Sequence, residues 1–168
     1  MSAGAGRRGG PAERGPGALT VRVEVGVPAA VAFAAVTDWL RQSDWVPFTR
    51  VRITRGDGRS AGSTLAAYTG VGRLGFTDYM EIVRYEPPHL AEVAHYGKIV
   101  RGSGAIRVEE LSDGRALIVW EEWLHLPLGR LGRLGWPVVR AGAEAGFQRS
   151  LRLLKRSMEG SRERNAGR

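Results

Sequence analysis

Apolar and polar residues alternate along residues 19–25, the first stretch of the chain that carries several large side chains. A period of two is typical of a strand with one buried face, so we expect the first strand here. The next apolar run, residues 29–36, follows Pro28, a residue that suits the first turn of a helix. The ordered part of the chain is therefore predicted to begin with a strand and a helix.

A second short helix is expected around Trp39 and Leu40, with Asp38 as its cap. It has to end before Pro47, because proline disfavours helical geometry in the residue that precedes it. This helical insert carries another indole at Trp45. The two tryptophans are either ordinary core residues, which is the commoner case, or the cover of a cavity mouth, and Trp39 is kept as a candidate binding residue.

From Thr49 onward, short apolar runs are separated by turn residues, and this pattern favours a meander of antiparallel strands over crossover units. Turn residues cluster at 56–58, 70–75, 87–88, 96–98 and 112–114. The intervening strands are expected near 49–55, 63–69, 76–86, 90–96, 100–109 and 116–126. Together with the first strand they make a seven-stranded sheet.

A long helix is predicted after Pro137, which suits a first helical turn. Apolar residues recur there at steps of three and four, as expected for a helix with one buried face. These positions are Val139, Ala143, Phe147, Leu151, Leu154 and Met158. The segment that follows Pro127 contains too much glycine to be assigned, and we expect the helix to fray from about Gly160.

Length and composition suit a single domain. The chain has 168 residues, of which 43% are hydrophobic, enough for a core and a modest cavity. Residues 1–17 are rich in Gly, Pro and Arg, and we expect a disordered tail because they have almost no apolar side chains to bury. The folded domain is predicted at 18–159, followed by a disordered basic tail at 160–168.

The expected location follows from what the sequence lacks. There are no cysteines, which removes disulfides, thiolate metal sites and cysteine nucleophiles and agrees with a reducing compartment. No apolar run reaches the roughly 18 to 20 residues of a membrane span, and the N-terminus lacks the apolar core of a signal peptide. We therefore expect a cytoplasmic protein.

The net charge of +8 is concentrated near the C-terminus. Residues 1–18 carry +2, residues 19–127 carry −1 and residues 128–168 carry +7, which sum to +8. Nucleic-acid binders interleave basic and stacking side chains, whereas most aromatic residues here lie in the neutral central region, so a nucleic-acid partner is disfavoured. The basic segment is either a solvated helix face, which we favour, or a weak contact with anionic membranes.

The order of elements resembles the helix-grip fold of the START-like (SRPBCC) superfamily, which includes polyketide cyclases/dehydrases and lipid-transport proteins. Several stretches are similar to bacterial members: residues 27–33, 37–39, 75–78, 85–88 and 136–137. The resemblance spans roughly residues 19–158. It implies an α+β fold in which a curved antiparallel sheet wraps around the C-terminal helix, with a cavity between them for lipids, isoprenoids, polyketides or aromatic metabolites. Fold alone does not settle function.

Sequence patterns that usually indicate cofactor binding or covalent catalysis are either absent or followed by the wrong type of secondary structure. Residues 70–75 match G-x-G-x-x-G, but phosphate binding requires a helix to follow, and residues 76–82 are typical of a strand. His89, His95 and His125 have no metal-ligand spacing, so we expect no metal. No serine lies in a nucleophile-elbow context. We therefore expect no cofactor and no covalent intermediate.

Two acids are placed on apolar strand faces by alternation. Asp78 shares a face with Phe76 and Met80, and Glu122 shares a face with Trp120. A buried carboxylate must find a partner or stay protonated. Each acid either bonds to backbone donors or an arginine, which we favour, or anchors a ligand or transfers protons. The second interpretation makes Asp78 and Glu122 the candidate catalytic residues.

The same alternation predicts further ligand-binding residues on the sheet. Gly102 and Gly104 share an inward face and leave space opposite the helix, and Trp120 on the neighbouring strand supplies a flat apolar wall. His95 lies on the face of Val93. The opposite face of that strand is nearly as apolar, so both orientations of His95 stay open.

The C-terminal helix is expected to contribute Ala143 and Phe147 to the cavity. Arg140 lies at the edge of their helix face, and we consider it as a partner for the buried acids. Our first hypothesis is a noncatalytic binding protein for a small hydrophobic or amphipathic molecule. The alternative is a polyketide cyclase or dehydratase, which would need an acid or base of tuned pKa near the reacting carbon.

Overall fold

The computed structural model describes the backbone of residues 18–125 and 129–166, and the side chains of residues 18–125 and 137–160. The strands are β1 (Ala18–Val25), β2 (Thr49–Arg55), β3 (Thr64–Val71), β4 (Leu74–Glu86), β5 (Leu90–Tyr96), β6 (Arg101–Glu110) and β7 (Ala116–Leu124). The helices are α1 (Ala29–Val36), a 3₁₀ helix (Trp39–Asp44) and α2 (Gly129–Ala166). The predicted disordered tail at residues 1–17, and residue 126 at the end of the last predicted strand, lie outside the described residues.

The strands form one sheet in the order β1-β7-β6-β5-β4-β3-β2. Every neighbouring pair is antiparallel, so β2 to β7 form the predicted meander and β1 joins it by pairing with β7. The curved sheet, the long C-terminal helix and the short helices after β1 make a helix-grip α+β fold. This confirms the predicted fold class.

Helix α2 is longer than the sequence pattern predicts. It begins at Gly129, ahead of Pro137, and it continues through Gly160 to Ala166. Pro137 therefore lies inside the helix, where it lacks the N–H of an intrahelical hydrogen bond. The segment before Pro137 contains Leu and Arg, and the segment after Gly160 contains Arg, Glu and Ala. These residue types favour helix, which explains why α2 extends past both expected boundaries.

The glycine-rich segment at 70–75 is a hairpin between β3 and β4, as expected from the strand pattern that follows it. The strands are longer than predicted, because Gly70 and Gly75 pair within the ladder and the turn itself is Gly72 and Arg73. A Cβ on Gly75 would lie 2.6 Å from the hydroxyl oxygen of Tyr68, which donates to the carbonyl of Gly72. These glycines make room for the tyrosine ring and serve the turn.

The core lies between the inner face of the sheet, α1 and the second half of α2. It includes Val25, Phe33, Ile82, Ile118, Leu151 and Leu154, all nearly inaccessible to solvent. Gln148 donates to the backbone carbonyl of Arg22, and the carboxylate of Glu159 accepts from the N–H of Gly26, which fixes α2 along β1. Within the described part of the chain, the helices are too polar or too short to cross a bilayer.

Candidate functional site

A cavity of about 850 Å³ lies between the sheet, the helical insert and the middle of α2. Strands β3 to β7 supply one wall, residues 39–49 of the insert a second, and the stretch of α2 around Phe147 a third. The side chains that line it are predominantly apolar. Its volume falls within the roughly 300 to 1,000 Å³ of typical small-molecule sites.

Three charged side chains form a hydrogen-bonded cluster in the cavity wall. Nδ1 of His95 lies 2.8 Å from Oδ2 of Asp78, and Nε2 of His95 lies 3.0 Å from Oε2 of Glu122. The indole N–H of Trp120 donates to Oε1 of Glu122 at 2.8 Å. The side chains of His95, Asp78 and Glu122 are only 4%, 14% and 7% exposed. We call Asp78, His95 and Glu122 the inner cluster.

Strand register brings the inner cluster together. His95 on β5 pairs with Met80 on β4, two residues from Asp78 on the same face. Glu122 on β7 pairs with Gly104 on β6, the strand between β7 and β5. A Cβ on Gly104 would lie 2.8 Å from Oε2 of Glu122, so the missing side chain is what lets this carboxylate lie across β6 and reach the imidazole.

The two carboxylates keep His95 charged. Burial by itself lowers the pKa of His95, but the hydrogen bonds and charges of Asp78 and Glu122 together outweigh burial and raise the pKa from 6.5 to about 10. At neutral pH the imidazolium therefore donates through both ring nitrogens, one to each carboxylate, and the formal net charge of two acids and one cation is −1. Oδ1 of Asp78 is buried and has no hydrogen-bond partner among the described residues.

Aromatic rings extend the wall from the inner cluster towards the helices. The ring of Trp120 meets Phe147 of α2 edge-on at a centroid distance of 4.4 Å. Trp45, a core residue that does not itself line the cavity, packs against the same indole at 5.9 Å. Trp39 lines the cavity and is also anchored in the core, because its indole N–H donates to the carbonyl of Gly58 at 2.7 Å. Trp39 is therefore a core residue that also lines the cavity, and its role in ligand binding stays a prediction.

Most of the residues predicted from the sequence line this cavity. They are Trp39, Phe76, Asp78, Met80, His95, Gly104, Trp120, Glu122, Ala143 and Phe147. The orientation of His95 that alternation left open is the inward one. Asp78 and Glu122 do point inward, but they share a histidine instead of bonding to the backbone or an arginine.

Two predicted site residues lie elsewhere. Arg140 pairs with Glu144 one turn along α2, with Nε 2.7 Å from Oε1, and its side chain is half exposed, so it is not the partner of the acids. Gly102 does not line the cavity; it has φ of 137°, and a Cβ there would lie 2.0 Å from the carbonyl oxygen of Trp123. Its lack of a side chain serves the backbone of β6 and β7.

Apart from Trp39, sequence reasoning missed the contribution of the helical insert and of the residue that follows it. Gln42, Pro47, Phe48 and Thr49 line the cavity, and Arg149 and Ser150 join them from α2. Irregular segments have no periodicity from which facing can be deduced. Gln42 gave no signal in the sequence, because it lies in a run of four polar residues at 41–44 and only the structure shows that it is buried.

Within the described side chains, no group of three or more His, Asp or Glu is arranged to hold a metal ion. In the inner cluster, both ring nitrogens of His95 already bond to carboxylate oxygens. The arrangement therefore suits hydrogen bonding and proton transfer to or from a ligand.

A family model described as polyketide cyclase/dehydrase and lipid transport matches residues 16–159. The match includes all seven strands, and so every member of the inner cluster, together with most of α2. No protein with a curated functional description matches the sequence.

Several solved structures have a similar fold. A START superfamily protein from Mycobacterium smegmatis is 15% identical with a TM-score of 0.66, over 85% of this chain and 97% of that chain. The Zhui aromatase/cyclase from Streptomyces is 20% identical with a TM-score of 0.63, over 89% and 94%. A norcoclaurine synthase point mutant from Thalictrum, in complex with a transition-state analogue, is 15% identical with a TM-score of 0.64, over 86% and 95%. At these identities the similarity shows the fold.

Proposed function

The chain belongs to the polyketide cyclase/dehydrase and lipid-transport family of START-like proteins, and from that premise we propose that it binds a small hydrophobic or amphipathic molecule in its cavity. The observation that carries the proposal is a space of about 850 Å³ whose apolar walls are interrupted by one charged cluster. Apolar walls provide affinity, and a few polar groups fix the orientation of a ligand. Lipids, isoprenoids, polyketides and aromatic metabolites all have this character.

The walls contain little that is suited to a strongly polar ligand. Strands β3, β5 and β6 present methyl groups from Ala67, Ala91, Val93 and Ile106, and the Trp120 and Phe147 rings add two flat surfaces. Removing an apolar ligand from water onto such surfaces contributes roughly 25 cal/mol for each Å² of apolar area buried. A mostly apolar ligand therefore gains more here than a mostly polar one.

Occupancy of the cavity is tested by blocking it. Ala143→Trp places an indole in the cavity from α2, whereas Ala145→Trp places one on the exposed face of the same helix. Native mass spectrometry and thermal unfolding are measured across a library of lipids, isoprenoids and polycyclic aromatic compounds. We expect a ligand that raises the melting temperature of the wild type and of Ala145→Trp, but not of Ala143→Trp. Absence of any stabilising ligand for the wild type, or equal stabilisation of both variants, contradicts the proposal.

A second candidate function, cyclisation or dehydration of a polyketide, is favoured by Asp78. Asp78 lines the cavity, and one oxygen of its carboxylate is buried and unpartnered within the described part of the chain, while the other accepts from the charged imidazolium. A carboxylate in this position is able to accept a proton from a carbon next to a ketone. The C–H electron pair then forms a C=C bond, the carbonyl π pair moves onto oxygen to give an enolate, and the newly protonated carboxyl group can donate to the enolate oxygen or return its proton there to give the enol. Retention of binding by Asp78→Asn, with a loss of roughly 10² to 10⁴ in turnover of a poly-β-keto substrate, favours this candidate over simple binding.

A further inference from the structure

We infer that the inner cluster selects ligands whose polar end donates hydrogen bonds, such as an alcohol, phenol, enol or amine, and that it rejects carboxylates and phosphates at this end of the cavity. The inference deepens the proposed function and rests on it. It follows from a count of the donors and acceptors that Asp78, His95, Glu122 and the adjoining Trp120 leave available.

All the N–H groups of the inner cluster and of Trp120 are already used. The indole N–H of the neighbouring Trp45 has no partner among the described side chains, but it is buried on a residue that does not line the cavity. The imidazolium of His95 has two N–H donors, one directed to Asp78 and one to Glu122. The indole of Trp120 has a single N–H, which is directed to Glu122. A ligand that approaches the inner cluster therefore meets no free donor on these side chains.

Acceptor capacity remains on the carboxylates. Oδ1 of Asp78 has no hydrogen-bond partner among the described residues, although it is buried. That atom has almost no accessible surface, so a ligand donor reaches it only when the Asp78 side chain, which is 14% exposed, turns towards the cavity. The bond then removes the penalty of an unsatisfied buried acceptor. The net charge of −1 acts in the same direction, because it attracts a donor hydrogen or an ammonium group and repels an anion.

The other polar groups of the wall do not reverse this preference. The hydroxyls of Thr49 and Thr69 bond to each other at 2.9 Å, and the hydroxyl of Ser150 donates to the carbonyl of Gly146. Gln42 is a neutral amide on the insert. Arg149 is the cationic side chain among the lining residues, and it is exposed on α2, on the opposite side of the cavity from the sheet that carries the inner cluster. An anionic ligand group is therefore expected near Arg149 and away from Asp78.

Three naphthalene probes of nearly equal size isolate the effect of the polar end. 2-Naphthol donates a hydrogen bond, 2-methoxynaphthalene accepts without donating, and 2-naphthoate is an anion at pH 7.5. Dissociation constants are measured by intrinsic tryptophan fluorescence or calorimetry on the full chain. We expect naphthol to bind at least tenfold more tightly than naphthoate, and more tightly than the methoxy compound.

Two variants connect the preference to the inner cluster. Asp78→Asn removes one negative charge and adds an amide donor, so we expect the ratio between naphthol and naphthoate affinities to fall at least fivefold. Thr69→Val removes a hydroxyl from another part of the wall and is expected to leave the ratio unchanged. If Asp78→Asn does not fold, Glu122→Gln provides a second variant that removes one negative charge. The ranking of the three probe affinities in the wild type tests the preference without either variant.

The outcomes separate the inference from the proposed function. Equal affinities for the three probes, or tighter binding of naphthoate, overturn the donor preference and leave ligand binding in place. A ratio that Thr69→Val changes as much as Asp78→Asn also overturns it, because the preference would not then come from the inner cluster. Failure of all three probes to bind, in a protein that binds none of the apolar library, contradicts both the inference and the proposed function.

Discussion

Two clusters with the same arrangement of charges, a cation between two carboxylates, lie on opposite faces of the sheet. The inner cluster places His95 between two carboxylates in the cavity. On the outer face, Arg107 of β6 lies between Glu121 at 3.0 Å and Glu92 at 3.4 Å. We call Glu92, Arg107 and Glu121 the outer cluster. Glu121 and Glu122 are consecutive residues of β7, so the pleat of one strand sends one acid to each cluster.

The two clusters differ in their access to water. The side chain of Arg107 is 41% exposed, so solvent weakens its attraction to both acids. The side chain of His95 is 4% exposed, and its ion pairs compete with a large desolvation cost. The same three charges therefore make a surface contact of small energy in one place. In the inner cluster they make a buried site in which each N–H of the imidazolium is directed to one carboxylate. Such an arrangement suits ligand binding or proton transfer.

The largest effect expected from this comparison follows from removing the central cation. His95→Leu leaves two buried carboxylates without a counterion, and we expect a loss of about 3 to 5 kcal/mol in the free energy of unfolding. Arg107→Leu removes the cation of the outer cluster and serves as the matched control. Urea denaturation measures both. Similar losses for the two variants would mean that burial does not distinguish the clusters.

The pH dependence of stability sharpens the same contrast. The pKa of His95 is raised in the folded state, so its contribution is fully present below pH 6.5, its ordinary value, and is lost as the pH rises through about 10. We expect the free energy of unfolding to fall between these limits by up to about 1.4 kcal/mol for each pH unit. The triple variant Asp78→Asn, His95→Gln, Glu122→Gln has no charges in the inner cluster and provides the comparison curve. Parallel curves for the wild type and the triple variant would contradict a charged His95.

The contrast between the two faces of the sheet also explains which members of the inner cluster could be predicted from the sequence. Asp78 and Glu122 were identified as inward-facing because apolar residues alternate with polar ones along β4 and β7. His95 was left undecided because both faces of β5 are apolar. The shared histidine could not be found either, since a contact between Glu122 and His95 depends on the register of three strands and on the space that Gly104 leaves.

Periodicity in the sequence predicted the regular elements of the fold but gave no information about its irregular parts. Seven strands and the order of helices followed from patterns of two and of three to four residues. The insert wall around Gln42 and Phe48 did not, because Phe48 adopts a positive φ of 61° that no repeat predicts. Arg140 was assigned to the acids from its helix position, and its nearer neighbour Glu144 satisfies it instead.

A smaller effect is expected from filling the space under Glu122. The methyl group of Gly104→Ala would lie within 3 Å of both carboxylate oxygens, so Glu122 has to move away from His95. We expect a loss of about 1 to 3 kcal/mol, the cost of leaving buried polar groups unpaired, together with a lower pKa for His95 by NMR titration. Gly142→Ala, on α2 with nothing within 4 Å of its new methyl group, is the control and should stabilise the protein slightly. An unchanged His95 pKa in Gly104→Ala would show that the carboxylate does not need this space.

The smallest effect is expected from the outer cluster itself. Arg107→Ala removes two partly exposed ion pairs, and such pairs each contribute roughly 0 to 1 kcal/mol. Because the acids left behind remain in contact with water, no buried charge is created, and 1 M salt should abolish most of the difference from the wild type. Urea denaturation at low and high salt measures this. A loss that is as large as that of His95→Leu and insensitive to salt would mean that Arg107 is effectively buried, and the proposed distinction between the two faces of the sheet would be wrong.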